Sequence, residues 1–401
     1  MTGPLSGVRV LDLGTRIAAP FCAGLLGEMG AEVIKIEQPG TGDFMREIGP
    51  FAESDDGPYS LFWAVEGRGR SSVTLDLRQP EGQDLFRRLA ATADVVVENF
   101  RPGTLEKWGL GWDTLKEENG KLIMVRISGF GQSGPYSPRP GFGRIGNAFG
   151  GLSYLAGFPD RPPTTPGSAT IPDYMAGLYG ALGVMFALRA RDMTGRGQYI
   201  DIGLYEPIFR ILDEMAPAYD KVGFIRRRMG AAAPNVCPHS HYQTGDGRWI
   251  AIACTNDKIF ARMAKLMGCP EVAGTGIYGT IAQRDSQRPA VDGLVADWAA
   301  KHTQQEAVAL CEGAEVPCGI VASVDEIFSD PHYAARGNIA RVSDPRAGTL
   351  AVPNVVPRLT GTPGGIDTLG PALGQHNREI LGGLLGLSDA ELKGLESRGV
   401  I

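Results

Sequence analysis

GVRVLDLGTRIAAPFCAGLLGEMGAEVIKIEQP (7–39) decides the fold. Two short apolar, β-branched runs, GVRVLDL (7–13) and AEVIKIEQP (31–39), flank FCAGLLGEMG (21–30), a helical pattern ending in glycine. A strand, one helix and a second strand at this spacing predict a βαβ unit, because parallel strands need such a crossover. The rhythm continues through SVTLDL (72–77), DVVVENF (94–100) and KLIMVRISG (121–129), with helix-like stretches such as PEGQDLFRRLAATA (80–93) between them. The fold class predicted is therefore α/β: a Rossmann-like large domain with a mainly parallel sheet covered on both faces. In such sheets ligands gather at the carboxyl ends of the strands. Those ends carry GTRIAAP (14–20), EQPG (37–40), NFRPG (99–103) and SGFGQSGP (128–135), all rich in Gly and Pro, so the site is expected there.

Farther along, residues 132–170 read as loop, followed by a long helix. The texture changes at RRRMGAAAPNVCPHSHYQTGDGRWIAIACTN (226–256), where Asp246-Gly247 signals a two-residue hairpin turn. Helical patterns IFARMAKLMG, AVDGLVADWAA and QEAVALCEG follow, giving a smaller α+β domain over 225–335 after a large-domain segment over 1–224. The tail, GQHNREILGGLLGLSDAELKGLESRGVI (374–401), reads as helical, with Ser388 as an N-cap before DAEL.

At 401 residues the chain exceeds one ordinary core. Hydrophobic and charged shares of 43% and 21% are those of a globular enzyme rather than a disordered chain. A net charge of −6 argues against a general nucleic-acid binder. The six cysteines lack CxxC spacing, which suits reduced thiols in a cytoplasm. No secretory signal is visible at the N-terminus, and the apolar run after Asp173 reads as too short and glycine-rich for a membrane span.

GFGRIG (141–146) and GTGIYG (274–279) fit G-x-G-x-x-G, but neither follows a convincing strand, and the loop reading wins. His239 and His241 lack a third ligand, so no metal site is expected. Cys237 has no evident base beyond His239, and no G-x-S-x-G elbow is present. Arg16, Lys35, Arg68, Arg70, Arg101 and Lys107 lie near predicted strand ends or in the loops after them; singly they are surface charges, together a phosphate site. In TIPDYMAGLYGALGVMFALRARD (170–192) one acid, Asp173, heads an apolar run. With Pro172 at N1 and Asp173 at N2 it is either a first-turn acid favoured by the helix dipole or a carboxylate available as a nucleophile.

The chain resembles the class III CoA-transferases, the group of formyl-CoA transferase, carnitine CoA-transferase and the α-methylacyl-CoA racemases. The resemblance rests on 8–46, 71–111, 128–142, 172–206 and LGQHNREILGGLLGLS (373–388), with VENFRPG (97–103) and TGRGQ–DIGLYE (194–206) the most specific elements. It implies a large domain completed by the C-terminal segment 336–401, and a homodimer whose subunits thread through each other like chain links. It also implies that Asp173 is the catalytic acid, exchanging CoA through an aspartyl mixed anhydride and an aspartyl-CoA thioester. CoA, a substrate and not a prosthetic group, is expected to contact Arg16, Ile17, Ala18, Gln38, Arg70, Arg101 and Lys107. Gly143 and the glycine-rich segment near Gly230 are candidate oxyanion donors, and Arg144 a partner for the remote carboxylate of a small dicarboxylic acid. Gly143 stands where formyl-CoA transferase has a glutamate, and Phe142 where the racemases have a histidine. The segment 141–163 is similar to transferases that pass CoA from succinyl-CoA to acids such as malate, citramalate, mesaconate or glutarate. A racemase and a catalytically silent CoA-binding protein are the alternatives.

Overall fold

The computed structural model describes residues 3–54, 57–168 and 170–401. The chain divides into a larger unit, Met1–Ser153, Gly167–Val222 and Tyr333–Ile401, and a smaller one, Tyr154–Pro166 and Gly223–His332.

The larger unit is built on β1 (Arg9–Asp12) and β2 (Glu32–Glu37), then, past a small ladder of β3 (Phe51–Ala52) and β4 (Tyr59–Ser60), on β5 (Arg70–Thr74), β6 (Val95–Glu98), β7 (Ile123–Ser128) and β8 (Tyr199–Gly203). Among the described residues the main sheet has six strands in the order β5-β2-β1-β6-β7-β8, and every neighbouring pair is parallel. The order reverses between β1 and β6, which opens a crevice beyond their carboxyl ends. All residues of β6 and β7 are buried, as central parallel strands covered on both faces require.

The helices of the first half are α1 (Ala18–Glu28), α2 (Leu61–Glu66), α3 (Pro80–Ala90), α4 (Thr104–Lys107) and α5 (Trp112–Glu118). Within 132–170, expected as loop, lie α6 (Gly143–Phe149) and α7 (Leu152–Leu155); α8 (Ile171–Thr194) follows. The helical signal of α6 is masked because Gly143 and Gly146, both buried, take the place of an apolar stripe. On one sheet face α3 packs Leu85, Phe86 and Leu89 with Ile380, Leu381, Leu392 and Leu395 of the tail. On the other, Cys22, Ala23 and Leu26 of α1 meet Ala176, Val184 and Ala187 of α8. These two helices approach closely because glycine stands at the crossing: a Cβ on Gly177 would lie 2.6 Å from the Ala18 carbonyl oxygen. At 24 residues α8 is long and apolar enough to cross a membrane by length and composition, so length does not support the expectation that it is too short.

The tail packs on the edge strand of the sheet. Ser72 and Thr74 of β5 donate their main-chain N–H groups to His376 Nδ1 (3.0 Å) and Asn377 Oδ1 (2.8 Å). An edge that would otherwise be open to another strand is thereby closed. Ser388 caps the last helix, Asp389–Ser397, in a capping box with Glu391. The larger unit also holds a hairpin of β12 (Ile339–Asp344) and β13 (Gly348–Pro353).

In the smaller unit β9 (His239–Gln243), β10 (Trp249–Ala253) and β11 (Cys318–Ile320) form an antiparallel sheet in the order β11-β10-β9. Helices Asp257–Leu266, Arg288–Ala299 and Gln304–Gly313 bury Phe260, Met263, Val291, Val295 and Trp298 against it. The β9–β10 connection is longer than the two-residue turn expected: Thr244 N–H reaches the Arg248 carbonyl (2.9 Å), and Gly247 takes the left-handed conformation (φ 79°) that closes a three-residue loop. Arg284, fully buried, satisfies its guanidinium on Cys237 O, Tyr278 O and Asp257.

Candidate active site

The first βα loop, Gly14–Thr15–Arg16, is held by side chains. Gly14 N–H donates to Asp12 Oδ1 (2.9 Å), Thr15 N–H to Asn99 Oδ1 (2.8 Å), and Arg16 N–H to both Asp43 oxygens (3.2 Å each). In return Asn99 Nδ2 donates to Thr15 O (2.8 Å) and Lys35 Nζ to Gly14 O. Arg16 adopts a left-handed conformation (φ 65°), and its guanidinium stacks 4.2 Å from the centre of the Phe44 ring.

Asp173 belongs to the first turn of α8. Thr170 is the N-cap and Pro172 takes N2, which puts Asp173 at N3, one position later than expected. Burial pushes its carboxyl up to about 6, against its own main-chain N–H and the Arg16 charge, which both pull it down. Half of it is thus ionised near pH 6, and nearly all at neutral pH. It faces a cavity of about 260 Å³ lined by Thr15, Arg16 and Ala18 after β1, Asn99–Pro102 after β6, Ile127–Gly129 at the end of β7, and Arg139–Phe142 before α6. This is the crevice at the order reversal of the sheet. Beside it, a cleft of about 130 Å³ shares Thr15 and Phe100 and adds Gln38, Arg78 and Trp108. Phe100 and Trp108 meet edge to face at 5.5 Å, leaving an aromatic wall on that cleft.

Of the residues singled out from the sequence, Arg16, Ala18, Arg101 and Asp173 are brought together around one cavity, with Gln38 in the adjoining cleft. Ile17 is buried at the N-cap of α1. Lys107 is exposed in the last turn of α4 and lines neither space. Gly143 opens α6 one residue beyond the lining Phe142, and Arg144 is exposed beside it. Gly230 lies in the smaller unit with φ 65°, against Phe158. Arg70 does not reach the site. It begins β5 instead of following a strand end, it is 4% exposed, and its guanidinium turns inward to Asp12 (3.2 Å) and the Pro20 carbonyl. Releasing it to a phosphate would take from a buried carboxylate the nearer of its two cations, the other being Lys35 at 3.6 Å.

Asn99, Phe100 and Arg139 in the cavity, and Arg78 and Trp108 in the cleft, are not among the residues singled out from the sequence; for the first two the NFRPG turn was the available signal. Cys237 is a poor nucleophile, since burial and then Asp292 push its thiol up to about 12. Among the described residues no group of three or more His, Cys, Asp or Glu is placed to hold a metal. A groove of about 670 Å³ between α3 and the last helix, lined by Leu85, Leu387 and Leu395, lies on the opposite sheet face from Asp173.

A doubly wound parallel sheet with a half-buried acid and several arginines around its switch-point crevice defines an α/β enzyme for an anionic ligand. The family description "CoA-transferase family III" matches residues 5–377. A succinyl-CoA–L-malate CoA-transferase beta subunit from Chloroflexus aurantiacus is 49% identical over 100% of this chain and 98% of its own length. A succinyl-CoA–D-citramalate CoA-transferase from the same organism is 48% identical over 99% of this chain and 98% of its own. A CAIB/BAIF family protein from Brucella suis, solved by crystallography, has a TM-score of 0.84 at 34% identity, covering 96% of this chain and 100% of that one. The chain belongs to CoA-transferase family III, and it is a CoA-transferase.

Proposed function

We propose that this enzyme moves CoA from succinyl-CoA, or a similar dicarboxylyl-CoA, to a small dicarboxylate such as malate or citramalate, with Asp173 as the covalent relay. The observation that carries the reading is the half-buried Asp173 carboxylate in a cavity it shares with Arg16, Arg101 and Arg139. The carboxylate attacks the donor thioester carbonyl and expels CoA thiolate, leaving a mixed anhydride. The thiolate attacks the aspartyl carbonyl, which frees the donor acid and forms an aspartyl-CoA thioester. The acceptor carboxylate then attacks that thioester, expels the thiolate and forms a second anhydride. Attack of the thiolate on its acceptor carbonyl yields the new acyl-CoA and regenerates Asp173. In this scheme the adenosine end occupies the Gln38–Phe100–Trp108 cleft, and Arg16, Arg101 and Lys107 meet the phosphates. Arg144 pairs with the remote carboxylate of the acid, and the Gly143 main chain is a candidate donor to the tetrahedral oxyanion. A racemase would need two proton-transfer groups at Cα. Phe142 occupies the place of one of them, and no histidine stands among the described residues lining the cavity.

The active form in this reading is an interlocked homodimer. Leu178, Leu182 and Phe186 form a stripe on α8 that is 50%, 45% and 65% exposed, more apolar surface than an isolated chain leaves uncovered along one helix. The cysteines, all free thiols, suit a cytoplasmic setting.

The test is incubation with succinyl-CoA and a panel of mono- and dicarboxylic acids, read by mass spectrometry, with hydroxylamine trapping during turnover. New acyl-CoA from dicarboxylates and a hydroxamate on Asp173 are expected. Product without any modification of Asp173 overturns the relay, and no product from any acid supports a silent CoA-binding protein. Sedimentation of the purified chain as a monomer overturns the dimer.

A further inference from the structure

Beneath the first βα loop lies a set of buried charges that the exchange chemistry does not use directly. Lys35, on β2, is 1% exposed; its Nζ lies 3.1 Å from Asp43 Oδ2 and 3.6 Å from Asp12 Oδ2, and it donates to the Gly14 carbonyl. Asp43, 3% exposed, accepts from Arg16 N–H through both oxygens and from Met45 N–H (2.9 Å). Its own N–H is fixed by Glu37 (2.9 Å), which is gripped in turn by Arg46 (2.8 Å) and Ser72 (2.6 Å). Buried ion pairs seldom add stability over well-packed apolar groups, so a purely structural account leaves this cluster unexplained. What it does is local. A residue with a side chain is held in the left-handed region only where its surroundings over-determine it. Arg16 is such a residue, gripped at its own N–H by Asp43 and, two residues earlier, at the Gly14 carbonyl by Lys35.

We propose that Lys35 and Asp43 are positioning residues of the exchange reaction, locking the Gly14–Arg16 loop in the conformation that presents the Arg16 guanidinium to the Asp173 cavity. The inference rests on Asp173 as the reacting group. The charged side chains lining that cavity are Arg16 after β1, Arg101 after β6 and Arg139 before α6, with the Tyr174 hydroxyl beside Asp173 on α8 bonded to Glu66 (3.0 Å). Of the cations, Arg16 favours the ionised form of Asp173 and holds its titration lower. Letting the loop relax removes that pull without touching Asp173 or the arginine itself.

The experiment compares wild type, Lys35→Met, Arg16→Gln and the double variant in the full-length enzyme. It reads kcat/KM for succinyl-CoA-dependent exchange from pH 5 to 8, together with thermal unfolding. Lys35→Met is expected to move the acid limb upward by about half a pH unit and to lower kcat/KM at pH 5 about threefold. In the Arg16→Gln background it should move the limb no further, because both changes remove the same pull. An unmoved acid limb with only a lower melting temperature, or additive shifts in the double variant, overturns the proposal. If Lys35→Met alone does not fold, it is read together with Asp43→Asn, which discharges the acid it would strand; in that pair Arg16→Gly should raise the melting temperature, since glycine takes the left-handed conformation freely, and no rise also overturns it. That unfolding arm needs no turnover, so it still decides the positioning claim if wild type exchanges nothing, an outcome that would instead sink the transferase mechanism.

Discussion

The guanidinium carbon of Arg16 lies 5.5 Å from the centre of the Phe142 ring, so a cation from the first βα loop and an aromatic side chain from the segment before α6 share one wall of the Asp173 cavity. Phe142 is 61% exposed, and a cation–π contact at such a site is worth about 0.5–1 kcal/mol. Phe142→Ala should therefore raise KM for succinyl-CoA about threefold with little change in kcat. Steady-state kinetics check it; a fall in kcat at unchanged KM would place the ring in the chemical step instead.

Replacing Asp173 by Asn should abolish exchange and make the protein more stable at neutral pH. The folded carboxyl titrates at about 6 against 3.8 unfolded, because burial disfavours its charge. Its ionisation therefore costs stability progressively as pH rises from about 4 to about 6, and the full cost, about 3 kcal/mol at most, persists above that. Thermal unfolding at pH 7.5 should show Asp173→Asn melting higher than wild type, with the gap closing towards pH 4. The wild-type exchange rate should fall as pH drops through about 6. Equal melting temperatures at both pH values would mean that the carboxylate is not strained by its surroundings.

Arg144→Ala should raise KM for dicarboxylate acceptors about tenfold or more, through loss of a charge-assisted pair, and leave monocarboxylates nearly unaffected. Parallel measurements with matched mono- and dicarboxylic acids decide it. Equal losses for the two classes would remove Arg144 from acid selection.

Arg126→Met should destabilise the fold by about 3–5 kcal/mol. Arg126 Nε holds the fully buried Glu98 at 2.7 Å, and its Nη1 holds Glu106 at 2.7 Å. Burial pushes Glu98 up to about 7 even with that cation beside it, so removing the arginine strands an acid inside the sheet. Adding Glu98→Leu to Arg126→Met should recover most of the loss in urea unfolding; no recovery would show that the arginine acts through packing alone.

The βα alternation was legible because the central strands β1, β6 and β7 are rich in Val, Ile and Leu and almost wholly buried, a pattern with few other solutions. Asp173 was legible as a helix-start acid, although its offset within the first turn depends on Thr170 acting as the cap rather than on Pro172. Arg70 misled because its sequence position near a strand says nothing of which way a long side chain turns; only Asp12, far away in the chain, explains it. The helix at 143–149 was hidden because glycines in GFGRIGNAFGG carry no periodic signal, and their use for close approach to Pro172 and Leu204 is a tertiary fact. The clamp on Gly14–Arg16 was likewise out of reach, since its members come from β1, β2, the loop after β2 and the turn after β6.

The tail on the outer edge of β5 has a bearing on how the protein is made. Ser72 and Thr74 find their partners some 300 residues later, at His376 and Asn377, and Leu85 and Phe86 find part of their cover in Leu392 and Leu395. A nascent chain whose first half has left the ribosome still has a raw sheet border and an uncovered oily face, and it stays so for nearly the whole time of its synthesis. Such an intermediate is prone to pair with its neighbours, and a chaperone that shields that border is the class of helper this topology calls for during translation.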